Sequence, residues 1–413
     1  MEYAFYLLTF IFHFFIYAVV FRLAGLFTKN MPIKLFAVLL LARSQFRNLG
    51  DAGNINDNYI TPQLLAMPFA LSGIYFAAKE KYFLAFFSIL IALPIHPSLT
   101  ILTGITIAAS LILVRFSLPR FSKSLLFLAV TAALSYLFFL QFSGKRLVSD
   151  GLYIYILAYL RHPHHYIPST FPLWDYVVFS LMAVAVPVSL KYLPATKTVK
   201  KSIISMYVVA LTLVVFGYMF VEIIPIRTMV ELQLFRIVFL VRLFAILVVI
   251  VALAGALVRK IGLRPTYVML GFASIPLLFF SFSKGVRLIP NLPMQFESDR
   301  MLLYEFVAKK TESSALFLTP PNFGSMRIIP KRAIVVDWKS FPFIEKYMLI
   351  WHQRIEACYG KGDLFQNYRN ITDTKLLSLK KTFQFDYVIL YSSTKTKFRV
   401  LYEDSIYKVV RPL

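Results

Sequence analysis

Long uninterrupted runs of apolar residues dominate the chain from residue 4 to residue 283. A helix needs about 20 such residues to cross the hydrocarbon layer of a bilayer. Hydrophobic residues make up 59% of the 413 positions and charged residues only 15%, whereas about a quarter of the residues in a soluble globular domain are charged. The pattern predicts a polytopic α-helical membrane protein.

Ten segments are predicted to cross the membrane. Two of them, 33–46 and 82–95, are shorter than a full crossing, and a tilted, re-entrant or partly buried arrangement stays open for both. The segment nearest the N-terminus, 4–27, has no basic residue before it and no small-residue cleavage site after it. It is therefore interpreted as a spanning helix and not as a secretory signal. The ten segments are 4–27, 33–46, 61–78, 82–95, 98–114, 124–143, 174–194, 203–224, 234–257 and 265–283.

Lysine and arginine are concentrated in alternate loops of this layout, such as those holding Lys79 and Lys81 or Arg259, Lys260 and Arg264. Loops rich in basic residues tend to stay in the cytoplasm. The N-terminus, the loop 144–173 and everything after residue 284 are therefore predicted to face outward. The net charge of +24 then reflects cytoplasmic loops and attraction to anionic head groups, and nucleic acid is not an expected partner.

The composition changes after residue 284, which separates a transmembrane domain at 1–284 from an extracytoplasmic α/β domain at 285–413. Strand and helix patterns alternate in the second domain. A single cysteine, Cys358, excludes an intrachain disulfide and a cysteine metal cluster. The predicted elements are a helix at 297–310, strands at 315–320, 332–338 and 386–392, and a hairpin at 398–411.

Residues 161–170, RHPHHYIPST, gather titratable side chains in the outward loop 144–173. Loops longer than about 12–15 residues usually have a function. Imidazoles can take up protons, bind metals or donate to phosphate. A metal site needs three or four convergent ligands, and no carboxylate stands beside these histidines. A phosphate or sugar site, a metal site and a plain interfacial loop stay open as alternatives. The candidate substrate-binding residues are Arg161, His162, His164 and His165.

A second outward loop, NLGDAGNINDNYITP at 48–62, carries the candidate catalytic carboxylates Asp51 and Asp57. A carboxylate there can act as a general base or hold a divalent metal ion for a phosphate-bearing donor. A plain turn rich in Asn, Asp and Gly predicts the same composition. Both interpretations stay open.

Two further candidates lie at the ends of predicted spans. In LPIHPSLT, His96 is either a functional group at membrane depth or a cap on a broken helix end. In ELQLFRIVFLVR, Arg236 and Arg242 lie farther inside a span than ordinary flanking charges. Arg236 is predicted to bind a lipid phosphate, because its planar fork suits phosphate oxygens, or to pair with Glu222, Glu231 or a helix end.

The outer domain contains TPPNFGSMRIIPKRAIVVDWKSFPF at 319–343, in which Arg327, Arg332, Asp337 and Lys339 surround predicted strand ends. Strand ends of α/β domains often carry sites, so Arg327 and Arg332 are candidate substrate-binding residues. A surface ion network predicts the same cluster.

Five stretches carry a resemblance that covers nearly the whole chain. The layout of many spans followed by an outward α/β domain resembles the GT-C superfamily of membrane glycosyltransferases. Together with these stretches, it most closely resembles a group of bacterial multi-pass membrane proteins assigned to that fold. RHPHH and VVDWKSFP are the specific parts. The stretches are NYITPQLLAMP, LPIHPSLT, RHPHHYIPST, LQLFR and ALFLTPPNFGSMRIIPKRAIVVDWKSFPF.

The resemblance implies an enzyme of the bacterial inner membrane that takes a sugar from a polyprenyl-phosphate donor and passes it to a glycan, lipid or protein acceptor on the outer face. A divalent metal ion is a candidate cofactor. The superfamily's catalytic aspartate lies in the first outward loop, after a span that starts in the cytoplasm. Because the charge pattern places residue 1 outside, that span and loop are expected to be missing here, and Asp51 and Asp57 substitute for the aspartate only by location.

The hypothesis for the reaction is a direct displacement at the sugar's anomeric carbon. A carboxylate would take the acceptor's proton, while histidine and arginine side chains neutralise the leaving lipid phosphate. A transporter or flippase for a lipid-linked saccharide and a non-catalytic accessory subunit stay open as alternatives.

Overall fold

The structure is a computed structural model, and its chain divides into two compact units. The first unit comprises Met1–Gly144 and Asp150–Lys284, and the second comprises Lys145–Ser149 and Gly285–Leu413. The short segment 145–149 therefore packs with the C-terminal part of the chain, although the first unit flanks it on both sides in sequence. The residues described are 2–43, 49–51, 60–114, 146–288 and 300–412, together with the single positions 126, 129, 130 and 133.

Helices make up almost all of the described part of the first unit. The longer helices overlap the predicted segments wherever those segments are described, and three short ones lie in predicted loops. The helices are α1 (Glu2–Ala24), α2 (Met31–Arg43), α3 (Pro62–Ala78), α4 (Tyr82–Ala92), α5 (Pro97–Val114), α6 (Asp150–Ile154), α7 (Pro163–Tyr166), α8 (Leu173–Leu190), α9 (Lys197–Tyr218), α10 (Arg227–Leu232), α11 (Val238–Ile261) and α12 (Leu263–Leu288).

The described chain has five helical segments that are long and apolar enough to cross a membrane, which fits an integral membrane protein. Shorter apolar helices such as α4 accompany them; its 11 residues cover only about 17 Å, against a hydrocarbon layer of about 30 Å. These five segments do not confirm the predicted count of about ten crossings, and the predicted span 124–143 lies outside the described residues apart from four single positions. The five segments are Ala4–Ala24, Pro97–Val114, Leu173–Leu190, Lys197–Ile223 and Arg227–Ile261.

Helix α11 forms the centre of the first unit, where it packs against α2, α8 and α9. Its Phe239, Phe244 and Leu247 side chains are completely buried, as expected for a helix that is apolar on all sides. Helix α8, in contrast, exposes large apolar side chains such as Leu173 and Leu181. In a bilayer such a face lies against lipid chains.

Threonine caps define where two of these helices begin. The Thr61 hydroxyl accepts a hydrogen bond from the Leu64 backbone N–H at 3.0 Å, and Thr196 does the same for Val199 at 3.3 Å. Such caps satisfy N–H groups that have no partner within the helix. The cap at Thr61 fixes the start of α3, and with it the position of Gln63.

The second unit contains a five-stranded sheet with strand order β2-β1-β3-β5-β4. Strand β1 pairs in parallel with β2 and β3, whereas β5 runs antiparallel to β3 and β4. This confirms the small C-terminal sheet domain, with its closing hairpin. The strands are β1 (Leu316–Leu318), β2 (Ala333–Ile334), β3 (Tyr387–Tyr391), β4 (Arg399–Glu403) and β5 (Tyr407–Arg411).

The predicted strand 332–338 is shorter than expected. The Val335 N–H still donates to Phe317 O at 2.9 Å, but Trp338 N–H donates to Pro321 O at 2.8 Å, so the chain has left the ladder. Four helices accompany the sheet, of which only the first was predicted. They are α13 (Met301–Lys310), α14 (Glu345–Tyr359), α15 (Leu364–Arg369) and α16 (Asp373–Phe383).

The segment 145–149 is held in the second unit by Glu345, the first residue of α14. One carboxylate oxygen of Glu345 accepts hydrogen bonds from the backbone N–H groups of Leu147 at 2.6 Å and Val148 at 3.0 Å. Hydrogen bonds to a charged acceptor are about twice as strong as neutral ones. A single side chain therefore anchors this stretch of backbone.

Candidate functional site

The loop 161–170 is built from successive tight turns of helix. A π-helical segment, Tyr155–Arg161, precedes it, and such segments are rare and frequently mark functional sites. Helix α7 then begins with Pro163, whose missing N–H costs nothing at a first helical position. A 3-10 turn at Pro168–Thr170 follows. These turns compact the loop and bring its histidines together.

The three histidines of the loop converge. The ring centroids of His164 and His165 are 4.0 Å apart, and those of His162 and His165 are 5.4 Å apart. One nitrogen from each ring lies within 4.8 Å of a nitrogen in each of the others. His164 is exposed and the other two are half-buried. The structure thus supplies the convergence that the sequence left open.

The start of the loop 48–62 packs directly against these histidines. His165 Nδ1 lies 2.9 Å from Gly50 O; a carbonyl oxygen only accepts, so Nδ1 is the donor. Gly50 has a φ of 73°, and a Cβ at this position would lie 2.9 Å from the Phe171 ring. Glycine is therefore required for the close approach of the two loops.

Of the two candidate catalytic carboxylates, Asp51 and Asp57, the structure describes the backbone of the first alone. The backbone of Asp51 directly follows Gly50 and so lies beside the histidine loop, whereas its side chain is not described. Asp57 lies outside the described residues. Two loops that the sequence presents as separate candidates meet at Gly50.

Arg236 joins segments that are distant in sequence. Its Nε donates to the side-chain oxygen of Gln233, and its Nη1 donates to that of Gln63 on α3. Both of these acceptors are neutral amides, and they position the guanidinium between two segments of the first unit. Sequence reasoning did not single out Gln63; the available signal was a polar residue in the first turn of an apolar helix.

His162 lies among positive charges. Arg161 Nη1 is 3.4 Å from His162 Nδ1, and a guanidinium only donates. Burial, then Arg161 and, more weakly, His165, His164 and Arg236 lower the pKa of His162 to about 3. The ring is therefore neutral at physiological pH, and the tautomer that accepts at Nδ1 donates from Nε2.

His96 caps helix α5, since its Nδ1 accepts a hydrogen bond from the Leu99 N–H at 3.3 Å. Burial and then the charge of Arg236 lower the pKa of His96 to about 4. The residue is thus a helix cap that also lies within the electrostatic reach of Arg236. The two interpretations of LPIHPSLT do not exclude each other.

Tyr166 is the buried member of the loop, with 2% of its surface exposed. Burial raises the pKa of its phenol, and the charge of Arg236 opposes that rise. The phenol therefore stays protonated at physiological pH. Through Arg236, the structure brings His96, the histidine loop and Tyr166 into one neighbourhood.

Three described carboxylates of the first unit, Glu222, Glu231 and Asp150, take part in ion pairs or backbone contacts. Glu222 accepts from the Ser169 N–H at 3.1 Å. Arg227 donates from Nε to Glu231 at 2.9 Å and lies 3.4 Å from Asp150. The sequence analysis did not single out Arg227, and only its position at the start of an apolar helix marks it. Glu231 forms an ion pair with Arg227, and its pairing with Arg236 stays a prediction.

Arg332, in the second unit, is buried and caps the C-terminal end of helix α13. Its guanidinium donates to Pro330 O at 2.8 Å, Ala308 O at 3.0 Å and Thr311 O at 2.8 Å. Last-turn carbonyls of a helix have no partner inside the helix. The donors of Arg332 are thus committed to the fold, and the substrate-binding role predicted for it has no support here.

The other charged residues of the segment 319–343 are arranged separately. Arg327 is the exposed last residue of the turn Gly324–Arg327, and Lys339 is also exposed. Asp337 is 1% exposed, and one of its oxygens accepts from the N–H and the hydroxyl of Ser340 at 2.8 and 2.6 Å. A Cβ at Gly324 would lie 2.9 Å from that oxygen. This geometry stabilises a tight turn.

Comparison with known proteins concerns the second unit. Residues 299–358 match a family model described as a domain of unknown function, DUF6798. No curated protein matches the chain. The matched segment includes Arg327, Arg332 and Asp337 and does not reach the histidine loop. The similarity therefore covers part of the second unit and carries no activity to the chain.

Proposed function

We propose that this protein is a membrane glycosyltransferase that takes a sugar from a polyprenyl-phosphate donor and passes it to a glycan, lipid or protein acceptor. The observation that carries the proposal is the meeting of arginine and imidazole side chains from separate stretches of the first unit around His162. Arginine and imidazole are the side chains that donate to phosphate oxygens.

Two guanidinium groups lie within electrostatic reach of the same imidazole. Arg161 and Arg236 both lower the pKa of His162, and two side-chain amides position Arg236. A phosphate bound here would gain charge-assisted hydrogen bonds worth about 1.5–3 kcal/mol each.

The surroundings of the loop suit a lipid-linked ligand. Tyr155, Tyr159 and Trp174 are exposed on either side of it, and Leu173 is 80% exposed. Exposed tyrosine and tryptophan are typical of the level where a bilayer meets water. Since His164 is also exposed, a lipid-anchored phosphate can reach the loop from the side.

The reaction we propose is a displacement at the anomeric carbon. The bond from that carbon to the phosphate oxygen breaks as the bond to the acceptor oxygen forms. The acceptor hydroxyl gives its proton to a carboxylate, for which Asp51 is the candidate by its place beside Gly50, and Asp57 is the second candidate. Arg161, Arg236 and the imidazoles stabilise the charge on the departing polyprenyl phosphate.

The proposal includes the placement in the membrane. Ten crossings, with the loop 161–170 and the second unit on the outer face of a bacterial inner membrane, account for the alternation of basic loops in the sequence. That placement sets the transfer on the outer face, where a donor carried by a lipid needs no nucleotide-binding fold.

The test begins with the leaving group, because its chemistry is shared by every donor of this class. Binding of a short-chain polyprenyl phosphate to the purified full chain in nanodiscs is measured for the wild type and for Arg236→Gln. We expect at least tenfold weaker binding for the variant. Arg259→Gln, at an exposed position in the last turn of α11, serves as the matched control and should bind as the wild type does.

Sugar transfer is then measured with a panel of polyprenyl-phosphate sugars. Transfer that is lost in Asp51→Asn while binding is retained supports the catalytic role of that carboxylate. Binding without transfer of any donor favours the non-catalytic accessory subunit. Absence of binding in the wild type contradicts the proposal.

A further inference from the structure

We infer that His162, His164 and His165 form a zinc-binding site. A zinc ion would add a Lewis acid to the proposed phosphate site, and in this respect the inference deepens the proposed function. The part of the inference that concerns phosphate rests on the proposed function. The metal site itself is carried by the meeting of three imidazole nitrogens within 4.8 Å of one another.

The donor set selects the kind of ion. Imidazole suits zinc and other late first-row ions, whereas magnesium and calcium prefer oxygen ligands. Three histidines on a zinc ion leave a fourth position for water or substrate, which is the arrangement of catalytic zinc sites and not of structural ones. The site is therefore expected to discriminate strongly between Zn²⁺ and Mg²⁺.

The distances require only a local adjustment. Two nitrogens bound to one tetrahedral zinc ion lie about 3.3 Å apart when each Zn–N bond is about 2.0–2.1 Å. The rings of His164 and His165 are already 4.0 Å apart between centroids. Rotation of side chains brings the three nitrogens together, and the exposure of His164 gives the ion a path of entry.

A backbone contact prepares one of the ligands. His165 Nδ1 donates to Gly50 O at 2.9 Å, and the tautomer that donates from Nδ1 carries its lone pair at Nε2. Histidines that bind metals usually donate their other ring N–H to a carbonyl or carboxylate, which fixes the ring and raises its basicity. Gly50 therefore orients His165 as a ligand.

Arg161 and Arg236 oppose a cation at this place, and this gives the inference a distinctive consequence. The Arg161 contact with His162 Nδ1 is long, at 3.4 Å, and must open when zinc binds at Nε2. An anion in the fourth position offsets the repulsion. Inorganic phosphate should therefore tighten zinc binding, and Arg161→Gln should tighten it in the absence of phosphate.

The experiment measures zinc in the purified full chain in detergent micelles, after loading with Zn²⁺ and removal of excess ion, with no polyprenyl phosphate present. We expect about one zinc ion per wild-type chain by elemental analysis, and none in the triple variant with alanine at 162, 164 and 165. The chain has six histidines, so His13→Ala in α1 is the matched control and should keep its zinc.

A second measurement does not depend on any variant folding. Co²⁺ added to the wild type should give the intense visible absorption of a tetrahedral site, and Zn²⁺ but not Mg²⁺ should abolish it. Zinc retention that is equal in the wild type and the triple variant, or Co²⁺ absorption that stays octahedral, overturns the inference.

The two proposals fail separately. If the wild type binds polyprenyl phosphate but retains no zinc after loading, the metal site is contradicted and the proposed function is kept. If the wild type holds zinc on the three histidines but binds no polyprenyl phosphate, the metal site is kept and the proposed function is contradicted. The opposite signs expected for Arg161→Gln, tighter zinc and weaker phosphate, separate the two within one variant.

Discussion

Arg236 in the first unit and Arg332 in the second were both predicted to bind substrate, and they have contrasting surroundings. Arg332 donates to backbone carbonyl groups at the end of α13 and to Pro330 O. Arg236 donates to the side chains of Gln63 and Gln233, and its charge reaches His96 and His162. One arginine completes a helix end, and the other places a positive charge beside titratable side chains.

The difference shows that the groups which accept from an arginine decide its role. Backbone carbonyls that have no other partner make a buried arginine part of the framework, because its loss leaves several acceptors unsatisfied. Side-chain amides hold the Arg236 guanidinium within electrostatic reach of His96 and His162. The same residue type thus stabilises a fold in one unit and prepares a site in the other.

The largest effect is expected for Arg332→Ala. Several carbonyl groups lose their donor, so we expect a loss of about 3–5 kcal/mol in the free energy of unfolding of the second unit. Cys358 is the single cysteine of the chain; it is buried, and burial raises the pKa of its thiol to about 12. Its labelling by a maleimide therefore reports opening of this unit and should become at least about 100-fold faster.

Arg327→Ala is the control for that measurement. Its side chain is exposed, and exposed substitutions usually change stability by less than about 0.5 kcal/mol. Equal labelling rates for Arg332→Ala and the wild type would show that the cap at the end of α13 is dispensable.

Arg236→Gln tests the other side of the comparison. Thermal stability should change little, whereas binding of a polyprenyl phosphate should weaken by about 2 kcal/mol, because a charge-assisted hydrogen bond is lost. Binding is measured in nanodiscs and stability by the thermal midpoint in the same preparation. A variant that loses stability as Arg332→Ala does, while it still binds phosphate, would remove the distinction between the two arginines.

His96 gives a pH dependence of known sign. Its pKa is about 4 in the folded protein and about 6.5 in an unfolded chain, so below pH 6.5 the unfolded state binds a proton that the folded state does not. Stability contributed by neutral His96 is complete above pH 6.5 and is lost as the pH falls toward 4. We expect a loss of about 1–2 kcal/mol at pH 5.

His96→Asn removes this titration while asparagine still caps α5. The fall in thermal midpoint between pH 7.5 and pH 5 should be smaller in this variant than in the wild type and in His13→Asn. An unchanged fall would mean that His96 does not contribute to the acid sensitivity.

The smallest effect is expected for Gly50→Ala. The positive φ of Gly50 and the nearby Phe171 ring together should cost about 1 kcal/mol. The contact with His165 should shift, so zinc and phosphate binding should both weaken by a few-fold. Gly151→Ala is the control, since a Cβ there meets nothing within 4 Å. Equal binding in both variants would show that the Gly50 carbonyl does not orient His165.

The sequence predicted local features well. Apolar runs are a local signal, so the helices of the first unit and the strands of the C-terminal hairpin follow from them. The helices α14 and α16 escaped prediction because their buried positions, such as Ile355 and Leu376, are spaced among many charged residues. Their apolar faces become recognisable only when the sheet that covers them is known.

The candidate site was predicted in pieces. RHPHHYIPST, Asp51, His96 and Arg236 were recognised separately, but nothing local in the sequence indicates that they are neighbours. Gln63 and Arg236 are 173 positions apart, and His165 and Gly50 are 115 apart. Arg332 resembles Arg236 in sequence because both precede apolar runs, AIVV and IVFLV, and only the acceptors around them distinguish their surroundings.

The hydrogen bonds from Leu147 and Val148 to Glu345 have a consequence for fragments of the chain. Because 145–149 packs with the C-terminal unit, the polypeptide enters that unit twice, once at 145 and again at 285. After a protease cuts the chain within 285–299, the hydrogen bonds from Leu147 and Val148 to Glu345 would still join the C-terminal piece to the rest of the chain. Two co-expressed pieces divided there should associate, so this junction is a natural place to split the protein for complementation.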